Sequence, residues 1–333
     1  MIIVTGASGQ LGRAVVEDLL ELVLADQVGV SVRDPERVAD LRDRGVRVRQ
    51  GDYASLGPSI EGATALLLVS APLIGDAVTQ AHRAAIDAAV AAGVKRVYYT
   101  SHMGAHPDSP FPPMRGHAAT EHMLAASGLA HTVLRNGFYA NTVARLLGPA
   151  LQSGELRIPE DGAVAWTTHA DLAAATARLL ADDRPGRPAP AHTDPSTRTL
   201  TNDGRGRSSS PTGPTTHVVT DDGRDRSSSL TGPTAHILTG ERPHGPTPAL
   251  TGPAAVDMAE AAEIAARITG RPIRRVVVPA DEFKQGLPEP TATMMAGMFE
   301  ASRRGEFRPA GPELANLIGR PATSLEDYLK QVL

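Results

Sequence analysis

The chain has 333 residues, a formal net charge of −4 and 41% hydrophobic side chains, enough for one large domain or two ordinary ones with a genuine core. Aromatic residues make up 3%, so that core falls to Ala, Val, Leu and Ile, and the negative balance argues against nucleic acid or an anionic membrane as the main partner. The absence of cysteine removes disulfides, thiolate nucleophiles and cysteine-held metals together.

The first strand starts at residue 2, leaving no place for a basic–apolar signal, and no apolar run is long enough for a bilayer. The expectation is a soluble cytoplasmic protein, monomeric or homodimeric. Residues 1–150 alternate β-branched runs with Ala/Leu-rich helical patterns, the rhythm of a parallel sheet with crossover helices. Strands are expected at Ile2–Thr5, Val28–Val32, Val46–Gln50, Ala65–Val69, Arg96–Thr100 and His131–Leu134. Helices are expected near Leu11–Leu24, Pro35–Asp43, Asp76–Ala92 and Ala118–Ser127. This predicts an α/β fold, a Rossmann-type doubly wound parallel sheet over residues 1–153. Helices near His169–Asp182 and Val256–Thr269, a strand at Arg274–Val278 and short terminal helices predict a small α/β lobe over residues 154–333.

A repetitive stretch near residues 184–250 interrupts that lobe. Thr201-Asn202-Asp203-Gly204-Arg205 and Ser208-Ser209-Ser210 are echoed by Thr220-Asp221-Asp222-Gly223-Arg224 and Ser227-Ser228-Ser229. Each unit brings too little apolar surface to stack as a solenoid, which predicts a flexible surface insertion.

The strongest chemical signal is the turn Gly6-Ala7-Ser8-Gly9-Gln10-Leu11-Gly12, placed after a strand and opening a helix. There Gly6 permits the tight turn, Gly9 lets backbone approach a pyrophosphate and Gly12 lets helix pack on sheet, while phosphates meet free N–H groups and the helix dipole. At the end of the second strand an acidic residue selects NAD and an arginine accommodates a 2′-phosphate. Arg33 occupies that place, and Asp34, before Pro35, suits a helix cap, so NADP(H) is the expected cofactor. Asp52 and Tyr53 follow the third strand; they suit either an adenine contact or a turn cap. Ser70 and Ala71 end the fourth strand and Thr100 and Ser101 the fifth, where strand ends line the crevice of such sheets.

These motifs resemble the atypical short-chain dehydrogenases of the NmrA-like group, and most of all its type 2 NAD(P)H:quinone oxidoreductases. The likeness rests on Val4–Gly12, Val32-Arg33-Asp34-Pro35, Gln50-Gly51-Asp52-Tyr53, Tyr99-Thr100-Ser101, His117 with Glu121, and the run Leu134–Asn141. It implies an NADPH site made of residues 6–11, Arg33, the Ser70–Ala71 turn and the segment Asn136, Gly137, Phe138 and Tyr139, under a C-terminal lobe. It also implies a reductase passing hydride to a quinone or similar small electrophilic carbonyl. Two rivals stand beside it, a non-catalytic NAD(P)(H)-sensing regulator and a tailoring reductase of a biosynthetic pathway.

No tyrosine has a lysine four residues later, so the usual Tyr-x-x-x-Lys proton donor is missing. A quinone accepts hydride without a strong acid, provided donors sit near its oxygen. Ser101, His117 and Tyr139 are the candidate catalytic residues, with His117 expected at a helix start and Glu121 as a structural carboxylate. The histidines lack the spacing of a metal cage, so no metal is expected.

Overall fold

The computed structural model describes residues 1–182 and 244–333. The echoed motifs of the repetitive stretch, with His217 and His236, lie outside the described residues.

Ile2, Ile3, Val4 and Thr5 are all buried, as a central parallel strand requires. This strand, β1 (Ile2–Thr5), turns into α1 (Gln10–Leu20). The alternation continues through β2 (Val28–Val32), α2 (Ala39–Asp43), β3 (Arg47–Gln50), α3 (Gly57–Ile60) and β4 (Ala65–Leu68). Next come α4 (Asp76–Ala91), β5 (Arg96–His102), α5 (Pro112–Ala126) and β6 (Ala130–Asn136). The second half comprises β7 (Phe138–Tyr139), α6 (Asn141–Ser153), β8 (Glu155–Ile158), β9 (Trp166–Thr167), α7 (His169–Asp182) and β10 (Gly245–Pro246). It closes with α8 (Met258–Thr269), β11 (Arg274–Val277), α9 (Ala280–Gln285), α10 (Thr291–Arg303), α11 (Glu313–Ile318) and α12 (Leu325–Val332).

The main sheet runs β10-β6-β5-β4-β1-β2-β3, all parallel. The chain winds outward from β1 to β3, then restarts at β4 and winds the other way. The switch between β1 and β4 opens a crevice at their carboxyl ends, where such sheets bind ligands. Val15, Val16 and Leu19 of α1 meet Leu172, Ala173 and Leu180 of α7 on one face. On the other face Ala85 and Ala89 of α4 lie against Ile3, Leu66 and Leu68, their small side chains allowing close approach. A third cluster, with Phe111, Phe138, Trp166 and Phe307, forms the lobe over the sheet's carboxyl edge. None of the described helices is long and apolar enough to cross a membrane.

The six expected strands are all present, two of them longer than expected: β5 runs on to His102 and β6 to Asn136. The division at Gly154 cuts across the packing. Helix α7 lies against α1, and Gly245 and Pro246 pair with Thr132 and Val133, so both belong with the first sheet. Residues 244–250, expected within the repetitive stretch, thus include a strand of that sheet. Helix α5 begins at Pro112, not Ala118, because Pro112 and Pro113 sit in its first turn, where proline's fixed φ favours a helix. Helix α6, with Pro149 inside it, and the two-residue strands β7 and β9 are additional.

A Cβ at Gly12 would collide with the carbonyl group of Gly6. Gly12→Ala is therefore expected to lower stability by about 1–3 kcal/mol, read as a fall in melting temperature without cofactor.

Candidate active site

The site is built on the turn after β1. Gly6 adopts φ +65°, and the Gly9 amide closes the turn on the Gly6 carbonyl at 2.9 Å. Ala7 and Leu11 point into the core, leaving Ser8, Gly9 and Gln10 exposed. Gly9 caps α1 without any side-chain hydrogen bond, and no acidic residue lies in the first turn. The first amides of α1 have no acceptor within the helix, so they form an open seat for an anion.

Arg33 leaves the end of β2 exposed and takes part in no ion pair among the described residues. Gln50 Nε2 donates to its carbonyl oxygen at 3.1 Å, fixing the backbone there. Asp34 is spent on the following turn, where its carboxylate accepts from the Glu36 amide at 3.2 Å. Asp52 behaves likewise, accepting from the Ala54 amide at 3.3 Å, which is the capping alternative. Tyr53 turns inward, its hydroxyl donating to the Val69 carbonyl and its ring 5.8 Å from that of His82. The capping role of Asp52 is thus formed, and Asp52 itself stays exposed at the end of β3.

The exit of β4 is held by side chains. The Ser70 amide donates to Thr100 Oγ1 at 2.8 Å, and the buried Ala71 amide donates to His82 Nε2 at 2.9 Å. At the end of β6, Asn136 is 1% exposed, and neither its Oδ1 nor its Nδ2 has a hydrogen-bond partner. A buried amide left so costs about 1–3 kcal/mol. Its place at the strand's carboxyl end, with the open turn of α1, fits a bound dinucleotide. Gly137 has a different reason: a Cβ there would strike Thr167 Oγ1. Phe138 packs into the lobe against His102, Phe307 and Trp166 at 5.2, 5.0 and 5.5 Å between ring centroids. Asn141 Nδ2 donates to Gln10 Oε1 at 2.9 Å, joining the start of α6 to the glycine turn.

The three candidate catalytic residues fare differently. Ser101 is buried and donates to Glu121 Oε1 at 2.6 Å, and Glu121 also holds Arg135 at 2.6 Å. Its hydroxyl is committed to that pair, so it is no free donor. Tyr139 stacks on His169 with centroids 4.2 Å apart, and burial pushes its phenol up. His117 lies well inside α5 rather than at its start, half-buried, with Nδ1 2.8 Å from the Tyr99 hydroxyl. Burial pushes the His117 pKa down to about 3, with the nearby His82 acting in the same sense, so the ring is neutral at pH 7. Tyr99 is fully buried, which raises its phenol and keeps it protonated.

His82 is the residue here that sequence reasoning missed, while Tyr99 entered only through the motif it shares with Thr100 and Ser101. Val78, His82, Ala85 and Ala89 follow helical spacing along the buried stripe of α4, and one polar ring in that stripe is the signal that points to it. Two surface clefts, of about 470 and 280 Å³, lie around Val278 and α9 and are lined by none of these residues. Among the described residues no three His, Asp or Glu side chains gather to hold a metal.

A family model described as NAD(P)H-binding matches residues 6–183. Quinone oxidoreductase 2 of Escherichia coli (strain K12) is 42% identical over 187 residues, 55% of this chain and 64% of that protein. The chain thus spans less than two thirds of the curated relatives it matches first. In three dimensions the likeness reaches further. The crystal structure of NADPH-dependent quinone oxidoreductase QOR2 from Escherichia coli, complexed with NADPH, superposes with a TM-score of 0.77 at 29% identity, covering 100% of this chain and 99% of that one. Triphenylmethane reductase of Citrobacter sp., complexed with NADP(H), gives 0.76 at 27% identity, covering 100% of both. The doubly wound fold and the resemblance to type 2 quinone oxidoreductases are both borne out.

Proposed function

Because the chain belongs to the NAD(P)H-binding family, we propose that it is an NADPH-dependent reductase whose acceptor is a quinone or a similar small electrophilic carbonyl. The observation that carries this reading is the neutral His117–Tyr99 pair on the edge whose other end is the open glycine turn. Bound NADPH supplies the hydride. The first amides of α1 would hold its pyrophosphate, Arg33 would meet the 2′-phosphate, and the Asn136 amide and the Ser70–Ala71 turn would orient the nicotinamide half.

His117 then acts as a hydrogen-bond donor rather than an acid. With the protonated Tyr99 as the donor to Nδ1, the proton of the neutral ring lies on Nε2. That N–H would steady the oxygen of a bound quinone as it gains charge, and solvent would supply the proton that the ring oxygen needs. Such chemistry has no need of the missing tyrosine–lysine pair.

The test is NADPH oxidation by the purified protein with a panel of quinones. Quinone-dependent turnover is expected, and His117→Phe is expected to lower kcat about tenfold with NADPH affinity unchanged. Tight cofactor binding with no oxidation above background by any acceptor would defeat the reading.

A further inference from the structure

His82 is fully buried in a helix whose buried stripe is otherwise Val78, Ala85, Ile86 and Ala89. A polar ring in such a place must have both nitrogens satisfied. Nε2 accepts the Ala71 amide at 2.9 Å, and Nδ1 lies 2.8 Å from Thr120 Oγ1. Thr120 gives its own hydrogen to the Gly116 carbonyl at 2.8 Å, so its oxygen is an acceptor toward the ring and Nδ1 carries the proton. The network fixes one tautomer, whose remaining lone pair is aimed at Ala71.

The faces of the ring are engaged as well. Tyr53 lies 5.8 Å away, tilted, and Tyr99 5.4 Å away, edge-on, by ring centroids. Tyr53 holds the Val69 carbonyl and Tyr99 holds His117. Beyond Leu68 the chain no longer pairs with β5, and its successive amides at Ser70 and Ala71 are placed by Thr100 and His82 instead.

We propose that His82 is a positioning residue of the cofactor cleft, setting the Ser70–Ala71 wall directly and the ring of His117 through Tyr99. The inference rests on the reading that this wall faces the nicotinamide half. Burial holds the His82 pKa down, at about 4, so the ring stays neutral and keeps its acceptor at neutral pH.

Glutamine separates an acceptor oxygen from a donor nitrogen much as the imidazole separates its two nitrogens; leucine fills the space and does neither. The experiment compares full-length His82→Gln and His82→Leu by NADPH titration, by kcat and KM with a quinone, and by melting without cofactor. His82→Leu is expected to weaken NADPH about tenfold and His82→Gln to return to within about threefold of the parent. A purely structural histidine would lower both melting temperatures without separating the two affinities. Leucine binding NADPH like the parent, or glutamine failing as leucine does, overturns the proposal. If His82→Leu does not fold, Thr120→Val replaces it, keeping His82 but removing the acceptor that sets its tautomer. About threefold or more weakening is then expected, and unchanged affinity overturns. A parent that binds NADPH but turns over no acceptor defeats the reductase reading alone; a parent that does not bind it defeats both.

Discussion

Gly9→Val is expected to raise the NADPH dissociation constant by more than about a hundredfold while leaving the melting temperature of the free protein nearly unchanged. The three glycines of the turn are glycine for three different reasons. Gly6 needs the left-handed backbone at φ +65°, and Gly12 leaves no room for a Cβ beneath the Gly6 carbonyl. Gly9 has neither excuse. Its backbone is ordinary extended chain at φ −99° and ψ 170°, and an added Cβ would meet only the Gly6 oxygen, at an unstrained 3.4 Å. The fold alone therefore tolerates a side chain at Gly9. What does not tolerate one is a pyrophosphate drawn down onto the α1 amides, whose path the valine methyls would occupy. Calorimetric titration together with thermal melting separates the two demands. Normal NADPH binding by the valine variant would refute the assignment of the turn.

Arg33→Ala is expected to weaken NADPH about thirty- to hundredfold and NADH by no more than about twofold. The guanidinium is exposed, engaged by no carboxylate among the described residues and carried on a backbone that Gln50 pins. The adjacent acid, Asp34, is turned away to cap the next segment. A phosphate at this place gains a charge-assisted, two-pronged contact that a ribose hydroxyl does not offer. Because the charges are exposed, the discrimination is expected to shrink as ionic strength rises. Paired titrations with NADPH and NADH decide it, and an equal loss for both would remove Arg33 from the cofactor's selection.

Much of this was legible in the residues. The all-buried β1, the glycine spacing and the Asp34-Pro35 cap each follow from local chemistry, and each occurs where expected. What was lost lay in contacts between distant positions. Ser101 reads as an open strand end until Glu121, on a helix 20 residues later, takes its hydroxyl. His117 reads as a helix start, whereas Pro112 and Pro113 in the first turn carry the helix back to residue 112. His82 has no motif at all, since its partner Ala71 stands 11 residues earlier on another element. Gly137 was expected at the cofactor, and what demands glycine there is the crowding of Thr167 with the Ala165 and Leu250 carbonyls, beyond any local pattern. Strands of two residues such as β7 and β9 are too short to carry a period.

Helix α7 starts at His169, stacked on Tyr139 near the cofactor edge, and runs back along the sheet for 14 residues, about 20 Å. The chain is next described at His244, whose ring lies 4.6 Å from that of His131, one residue into β6 at the sheet's amino end. The two borders of the repetitive stretch thus share an address on the far side of the sheet from the crevice. The described chain on either side of that stretch is anchored there, α7 along the sheet and β10 beside β6, away from the turn after β1.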